Sequence, residues 1–255
     1  MKKLIVANWK MNPASLKEAK GIFNEIKKVA SKLKNVETVI CPPFVYLSAI
    51  SYQLSAIKLG AQDVFWENPA TGGGAYTGEI SLKMLKNFGA RYVIIGHSER
   101  RENLQETDEM VNKKVKSALK GGFRVIFCIG EKKRDDESYL YFIRDEILND
   151  LKDINRKLLK NLIIAYEPIW AIGKTGKAAD SPENVFQMGI FIRKTIMHVA
   201  GEKLSRNIPI LYGGSVDSKN CAGFFKEGNM QGLLIGGKSL IPKEFNKILK
   251  IANKA

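Results

Sequence analysis

The sequence predicts an α/β protein, a closed (βα)8 barrel folded as a single domain over residues 1–255. Eight short apolar runs recur along the chain, each too short for a core helix. They are rich in β-branched residues, as parallel strands buried on both faces are. The stretches between them carry helical periodicity, and about 32 residues per unit is the size of one strand with its crossover helix.

The first run, LIVANW (4–9), leads into a helix with Leu16, Ala19, Ile22, Phe23, Ile26, Ala30 and Leu33 on one face. VETVIC (36–41), LGAQDV (59–64), RYVIIGH (91–97), FRVIFCI (123–129) and NLIIAYE (161–167) follow. A long helix then aligns Val185, Met188, Gly189, Ile192, Ile196 and Val199, and IPILYG (208–213) and GLLIGG (232–237) complete the set. The rival architecture, an open doubly wound sheet, usually has a G-x-G-x-x-G fingerprint after its first strand. Here KMNPAS stands in that place, which excludes dinucleotide binding of that kind.

Composition narrows the function classes. No run approaches the roughly 18 apolar residues that cross a bilayer, so neither a membrane protein nor a secreted one is expected. Cys41, Cys128 and Cys221 are odd in number and far apart, which opposes a disulfide framework or a thiolate metal site and fits a reducing cytoplasm. The formal charge is +15, from 41 basic and 26 acidic residues. Most lysines fall at helical spacing in polar stretches, such as Lys17, Lys20, Lys27, Lys28, Lys32 and Lys34, or Lys113, Lys114, Lys116 and Lys120. They read as solvated helix faces. The excess can also steer a small anion into a cleft. Nucleic-acid binding is not expected, because no basic strand interleaved with aromatics and no zinc-finger spacing occurs.

Polar residues gather at the carboxyl ends of the strands, where such barrels place their chemistry. Asn8 and Lys10 follow the first strand, His97 and Glu99 the fourth, and Glu167 the sixth. Gly213, Gly214 and Ser215 follow the seventh, and Gly236 and Gly237 the eighth. Glycine pairs between a strand and a helix can present backbone N–H groups to a phosphate, or can simply make tight turns. Glu167, stiffened by Pro168, is either a general base in an apolar mouth or a strand-end carboxylate paired with a lysine. His97 opens a helical turn, SERRE, where a neutral imidazole could donate to a substrate oxygen; the alternative is a buried structural histidine. Lys10 supplies positive charge at the mouth or is one more surface lysine. His198 lies within the long helical pattern and is read as structural, and two distant histidines make no zinc site. GHSER (96–100) has Arg100 where a nucleophile elbow needs glycine. GKTGKAA (173–179) has Ala178 where a P-loop needs Ser or Thr.

From end to end the chain resembles the triosephosphate isomerase family. The resemblance rests on NWKMN (8–12), GAYTGEIS (74–81), IIGHSERR (94–101), FCIGE (127–131), YEPIWAIG (166–173), YGGSV (212–216) and LIGG (234–237), in the family's order and spacing. It implies a TIM barrel that interconverts dihydroxyacetone phosphate and glyceraldehyde 3-phosphate through an enediolate, without cofactor or metal. It further implies Glu167 as the base, His97 as the neutral electrophile, Lys10 as the positive charge, Asn8 as its neighbour at the substrate, which both would bind, and Glu99 against the lysine. The phosphate would lie on the N–H groups of Gly173, Ser215, Gly236 and Gly237. Residues 168–179 resemble a lid with Pro168 and Trp170 at its hinge. The 74–81 loop resembles one that enters a partner subunit, so a homodimer through Thr77 is implied.

The chain departs from the family pattern in four places. The lid reads AIGKTGKAADSPE, two residues longer than usual; an extra NPATGGG run fills 68–74; Lys238 follows the second glycine pair; and Gln105 replaces a frequent glycine. Two rival functions fit part of the pattern: another phosphosugar enzyme on the same barrel, and a basic nucleic-acid-binding module that keeps the fold without catalysis. Glu167 without a Schiff-base lysine opposes aldolase-type chemistry, and the trio Lys10, His97 and Glu167 opposes a pure binding module.

Overall fold

Eight parallel strands pair in sequence order and close on themselves, β8 returning to β1. They are β1 (Lys3–Asn8), β2 (Val36–Cys41), β3 (Ile57–Ala61), β4 (Tyr92–Ile95), β5 (Arg124–Ile129), β6 (Leu162–Tyr166), β7 (Ile210–Tyr212) and β8 (Gly232–Ile235). This computed structural model describes residues 2–51, 56–69, 71–134, 136–171 and 179–255.

Helices connect successive strands. They are α1 (Leu16–Ala30), α2 (Leu47–Ser51), α3 (Leu82–Asn87), α4 (Ser98–Asn103), α5 (Asp108–Lys120), α6 (Ser138–Asp150), α7 (Pro182–Ala200), α8 (Glu202–Ser205), α9 (Cys221–Lys226) and α10 (Pro242–Ala252). Local chemistry starts them. Ser15, Ser81, Thr107 and Ser181 each accept an N–H of the first turn in their side-chain oxygen, and Pro182 and Pro242 occupy first-turn positions where no donor is needed.

The side chains of the strands divide by the pleat into two buried layers. Leu4, Val6, Val39, Ile94, Ile126 and Ile163 belong to a cluster that fills the barrel. Their neighbours Ile5, Ala7, Ile40, Val93, Val125 and Ile164 pack with the helices in a second, larger cluster. Continuing the inward phase by steps of two from Leu4 and Val6 reaches Asn8. Continuing it from Ile163 and Ala165 reaches Glu167. Gly96, at φ +75°, breaks the phase of β4 by one residue and turns His97 inward.

β2 matches its apolar run, β1 is shifted back from its run by one residue, and the other six strands are shorter than theirs. The third is displaced, spanning Ile57–Ala61 where 59–64 was expected, so Gln62 and Asp63 stand beyond its end. Lys114 is also corrected. It is buried, not solvated, and its ammonium bonds both oxygens of Asp63 at 2.8 Å and pairs with Glu106. Burial raises the Asp63 carboxyl above its ordinary range against the opposing pull of Lys114. His198 lies exposed on α7. All three cysteines are buried and unpaired. Among the described residues no helix is long and apolar enough to cross a membrane.

Candidate active site

Asn8, Lys10, His97, Glu99 and Glu167 share one opening of about 600 Å³ at the carboxyl ends of the strands, which the Gly213–Ser215 and Gly236–Gly237 turns also line. The expected residues that fall within the described chain are therefore brought together. Gly173 and most of the lid, residues 172–178, lie outside the described residues.

Glu167 follows β6 directly and is 2 % exposed. Its N–H donates to Ile129 O at 2.8 Å, which extends the β5–β6 ladder one step and fixes the backbone. Its carboxylate Oε1 stands 3.3 Å from His97 Nε2, and Oε2 accepts the Ser98 N–H at 3.5 Å. His97 caps the N-terminus of α4: the Glu99 N–H donates to His97 Nδ1 at 3.1 Å. A nitrogen that accepts a hydrogen bond carries no proton, so the ring's proton lies on Nε2, which faces the opening.

Lys10 is held by its neighbours in an unusual backbone conformation, φ +54°, which costs on the order of 1–3 kcal/mol for a residue with a Cβ. Its N–H donates to Asn8 Oδ1 at 3.0 Å, and its carbonyl accepts Gln62 Nε2 at 2.8 Å. Gln62 also donates to Cys41 O at 2.9 Å, tying the turn after β1 to the end of β2. The Lys10 ammonium bonds Glu99 Oε1 across the mouth. Both side chains are partly exposed, so the pair adds at most about 1 kcal/mol to stability, and its effect is to aim the ammonium. Gly236 makes room for that ammonium, since a Cβ there would sit 3.1 Å from Lys10 Cε.

The glycine turns expected to hold a phosphate differ from expectation in detail. Gly236 and Gly237 open a short 3₁₀ turn (Gly237–Leu240), and their N–H groups donate to no acceptor among the described residues. The Gly213–Ser215 turn, however, does not lead straight into a helix, because α9 begins only at Cys221. Ser215 is already engaged: its N–H and its hydroxyl both donate to Ala171 O, at 3.2 and 2.7 Å. A phosphate can take that N–H only if Ala171 gives it up. Gly213 is required by Glu167, whose Cγ would lie 2.8 Å from an added Cβ.

Gln62 and Glu131 escaped the sequence reading. Glu131 is buried and its Oε1 accepts Tyr166 Oη at 2.9 Å, Trp170 Nε1 at 2.8 Å and Arg134 Nε at 2.7 Å, anchoring the segment that follows β6. Glu131 lay within the FCIGE block, which gave its position without its partners. Gln62 carried no signal beyond being polar near a strand end. No group of three potential metal ligands occurs among the described residues.

The sequence matches the family described as "Triosephosphate isomerase" over residues 3–252. The triosephosphate isomerase of Alkaliphilus oremlandii is 44% identical over 252 residues, covering 97% of this chain and 98% of its own. Those of Dictyoglomus thermophilum and Thermodesulfovibrio yellowstonii are each 42% identical over 253 residues, covering 98% of this chain and 99% of theirs. A match of this extent, on a closed eight-stranded barrel, means that the chain belongs to the triosephosphate isomerase family.

Proposed function

We propose that this isomerase interconverts dihydroxyacetone phosphate and D-glyceraldehyde 3-phosphate with Glu167 as the base and His97 as the electrophile. The observation that carries the assignment is the buried approach of Glu167 Oε1 to His97 Nε2 at 3.3 Å inside one opening. Glu167 takes a proton from the carbon beside the carbonyl, and the electron pair moves onto the carbonyl oxygen. The Nε2–H of His97 donates to that oxygen, and the Lys10 ammonium offsets its developing charge. Passage of the hydroxyl proton from one enediolate oxygen to the other past His97 Nε2, and return of the carbon proton from Glu167 to the adjacent carbon, complete the isomerisation. Asn8 acts by holding the Lys10 backbone, and Glu99 by fixing both the His97 tautomer and the Lys10 ammonium. Gly236 and Gly237 offer free N–H groups to the phosphate, joined by Ser215 on release from Ala171 and by Gly173. Exchange of the Ala171 contact for phosphate would couple ligand binding to the lid segment, protecting the enediolate from water.

The test is Glu167→Gln, assayed by coupling ketose formation from glyceraldehyde 3-phosphate to a dehydrogenase. Turnover should fall by roughly 10³-fold or more while substrate still binds. Turnover near wild type removes the base assignment.

A homodimer through the loop containing Thr77, located in the cytoplasm, belongs to the same proposal. Thr77 and Tyr76 are exposed on a loop where Phe65 packs at a tilt against Trp66 and Tyr76, with ring centroids 4.3 and 4.7 Å apart. Met11 and Val45 are also exposed, at 94% and 77%, and apolar groups of this size favour a covered surface. An active monomer at micromolar concentration in sedimentation would refute the dimer.

A further inference from the structure

Behind the His97–Glu167 pair, away from the mouth, lies a buried charged cluster that the proposed chemistry does not use. Arg101 on α4 faces Glu146 and Asp150, which stand four residues apart on one face of α6. Its Nε donates to Gly96 O at 2.9 Å and lies 3.3 Å from Glu146 Oε1. Its Nη1 donates to Asp108 Oδ1 at 2.8 Å, and its Nη2 donates to Asp150. The other oxygen of Glu146 accepts the Gly130 N–H at 3.0 Å.

Both backbone contacts of this cluster lie beside the proposed catalytic pair. Gly96 immediately precedes His97 and supplies the φ +75° kink that turns it inward. Gly130 abuts Glu167 so closely that an added Cβ would fall 1.8 Å from the Glu167 carbonyl oxygen. The contact of Arg101 with Glu146 thus ties the peptide that aims the imidazole to the peptide that seats the carboxylate. The space left among these groups is only about 10 Å³, which leaves little slack for either to shift.

Stability alone explains the cluster poorly. Two buried acidic side chains and the partly exposed Asp108 surround one guanidinium, and burial pushes Glu146 up to about 8 and Asp150 up to about 7 despite Arg101. Apolar residues would fill such a site at no greater cost. We propose that Glu146 is a positioning residue for the isomerisation, acting through Arg101 and the Gly130 amide to fix the separation of His97 and Glu167. The proposal rests on the catalytic reading of those two residues given above.

The test is Glu146→Gln in the full-length chain. We expect kcat to fall roughly 10- to 100-fold, since displacements near 1 Å cost that much. KM for glyceraldehyde 3-phosphate and inhibition by inorganic phosphate should stay within about twofold of wild type, because neither Arg101 nor Glu146 bonds Ser215, Gly236 or Gly237. The ¹⁵N resonances of the His97 ring, one of two histidines, should move. A variant with a lower melting temperature but wild-type kcat and unshifted His97 resonances would make Glu146 structural only and overturn the proposal. Should Glu146→Gln not fold, Asp150→Asn removes a charge partner of Arg101 and leaves the Gly130 bond in place. A kcat reduced several-fold at constant KM supports the proposal there, and an unchanged kcat overturns it. Glu167→Gln separates the two levels: full turnover in that variant removes the catalytic reading, whereas an inactive Glu167→Gln beside a fully active Glu146→Gln removes only the positioning role.

Discussion

The backbone N–H of Glu99 donates to Nδ1 of His97 at 3.1 Å, so the helix that follows β4 selects which ring nitrogen carries the proton. A protonated Nδ1 would lose this bond and place a cation at the positive end of α4. At pH 8 the ¹⁵N spectrum of the His97 ring should therefore show the Nε2–H tautomer. A predominant Nδ1–H tautomer would leave Nε2 as an acceptor, unable to donate to a substrate oxygen, and would end the electrophile assignment.

Gly213 and Gly130 both abut Glu167, but on different parts of it, and their replacement should separate catalysis from folding. An alanine Cβ at 213 would meet the Glu167 side chain, 2.8 Å from Cγ, and a side chain can rotate away. Gly213→Ala should fold with little change in melting temperature and lose about 10- to 100-fold in kcat as the carboxylate is displaced. At Gly130 the obstacle is the Glu167 backbone, which cannot yield. Gly130→Ala should lose more than about 4 kcal/mol and accumulate as unfolded chain. Circular dichroism with the coupled assay distinguishes them, and equal effects at the two positions would contradict this geometry.

Much of this site was legible in the sequence because it follows from strand periodicity. The inward phase of Leu4 and Val6 carries on to Asn8, and that of Ile163 and Ala165 to Glu167, so a correct assignment of strands places both at the mouth. What could not be read are contacts fixed by barrel closure between residues far apart in sequence. Gln62 reaches the Lys10 carbonyl from the end of β3, and Glu146 reaches Gly130 from the following helix. Lys114 misled for a related reason: helical spacing shows that a residue lies on a face, and the Asp63 and Glu106 carboxylates that draw that face inward come from other segments. The end of the Gly213–Ser215 turn was also out of reach, since the Ala171 carbonyl that occupies Ser215 belongs to the lid segment.

The +15 charge predicts a kinetic effect separate from chemistry. A doubly negative substrate should be attracted over distances comparable to the Debye length, roughly 30 Å at 0.01 M salt and about 8 Å at 0.15 M. Raising salt across this range should lower kcat/KM several-fold and leave kcat nearly unchanged. A kcat/KM indifferent to ionic strength would show that the excess lysines serve only as solvated surface.

The Arg101 cluster should make stability fall as pH rises through neutrality. Burial holds the Glu146 carboxyl at about 8 against an ordinary 4.5, and the Asp150 carboxyl at about 7 against 3.8. Between the lower and upper values the folded chain binds more protons than the unfolded chain, so unfolding releases protons and is favoured by increasing pH. The stabilisation is complete below about pH 4 and is lost progressively up to about pH 8. Asp150→Asn removes one titrating group and relieves the repulsion on the other. The thermal midpoint of wild type should therefore decline more between pH 5.5 and about 8.5 than that of Asp150→Asn. Parallel midpoint curves for the two proteins would mean that Asp150 is already ionised across this range, with Arg101 fully compensating its burial.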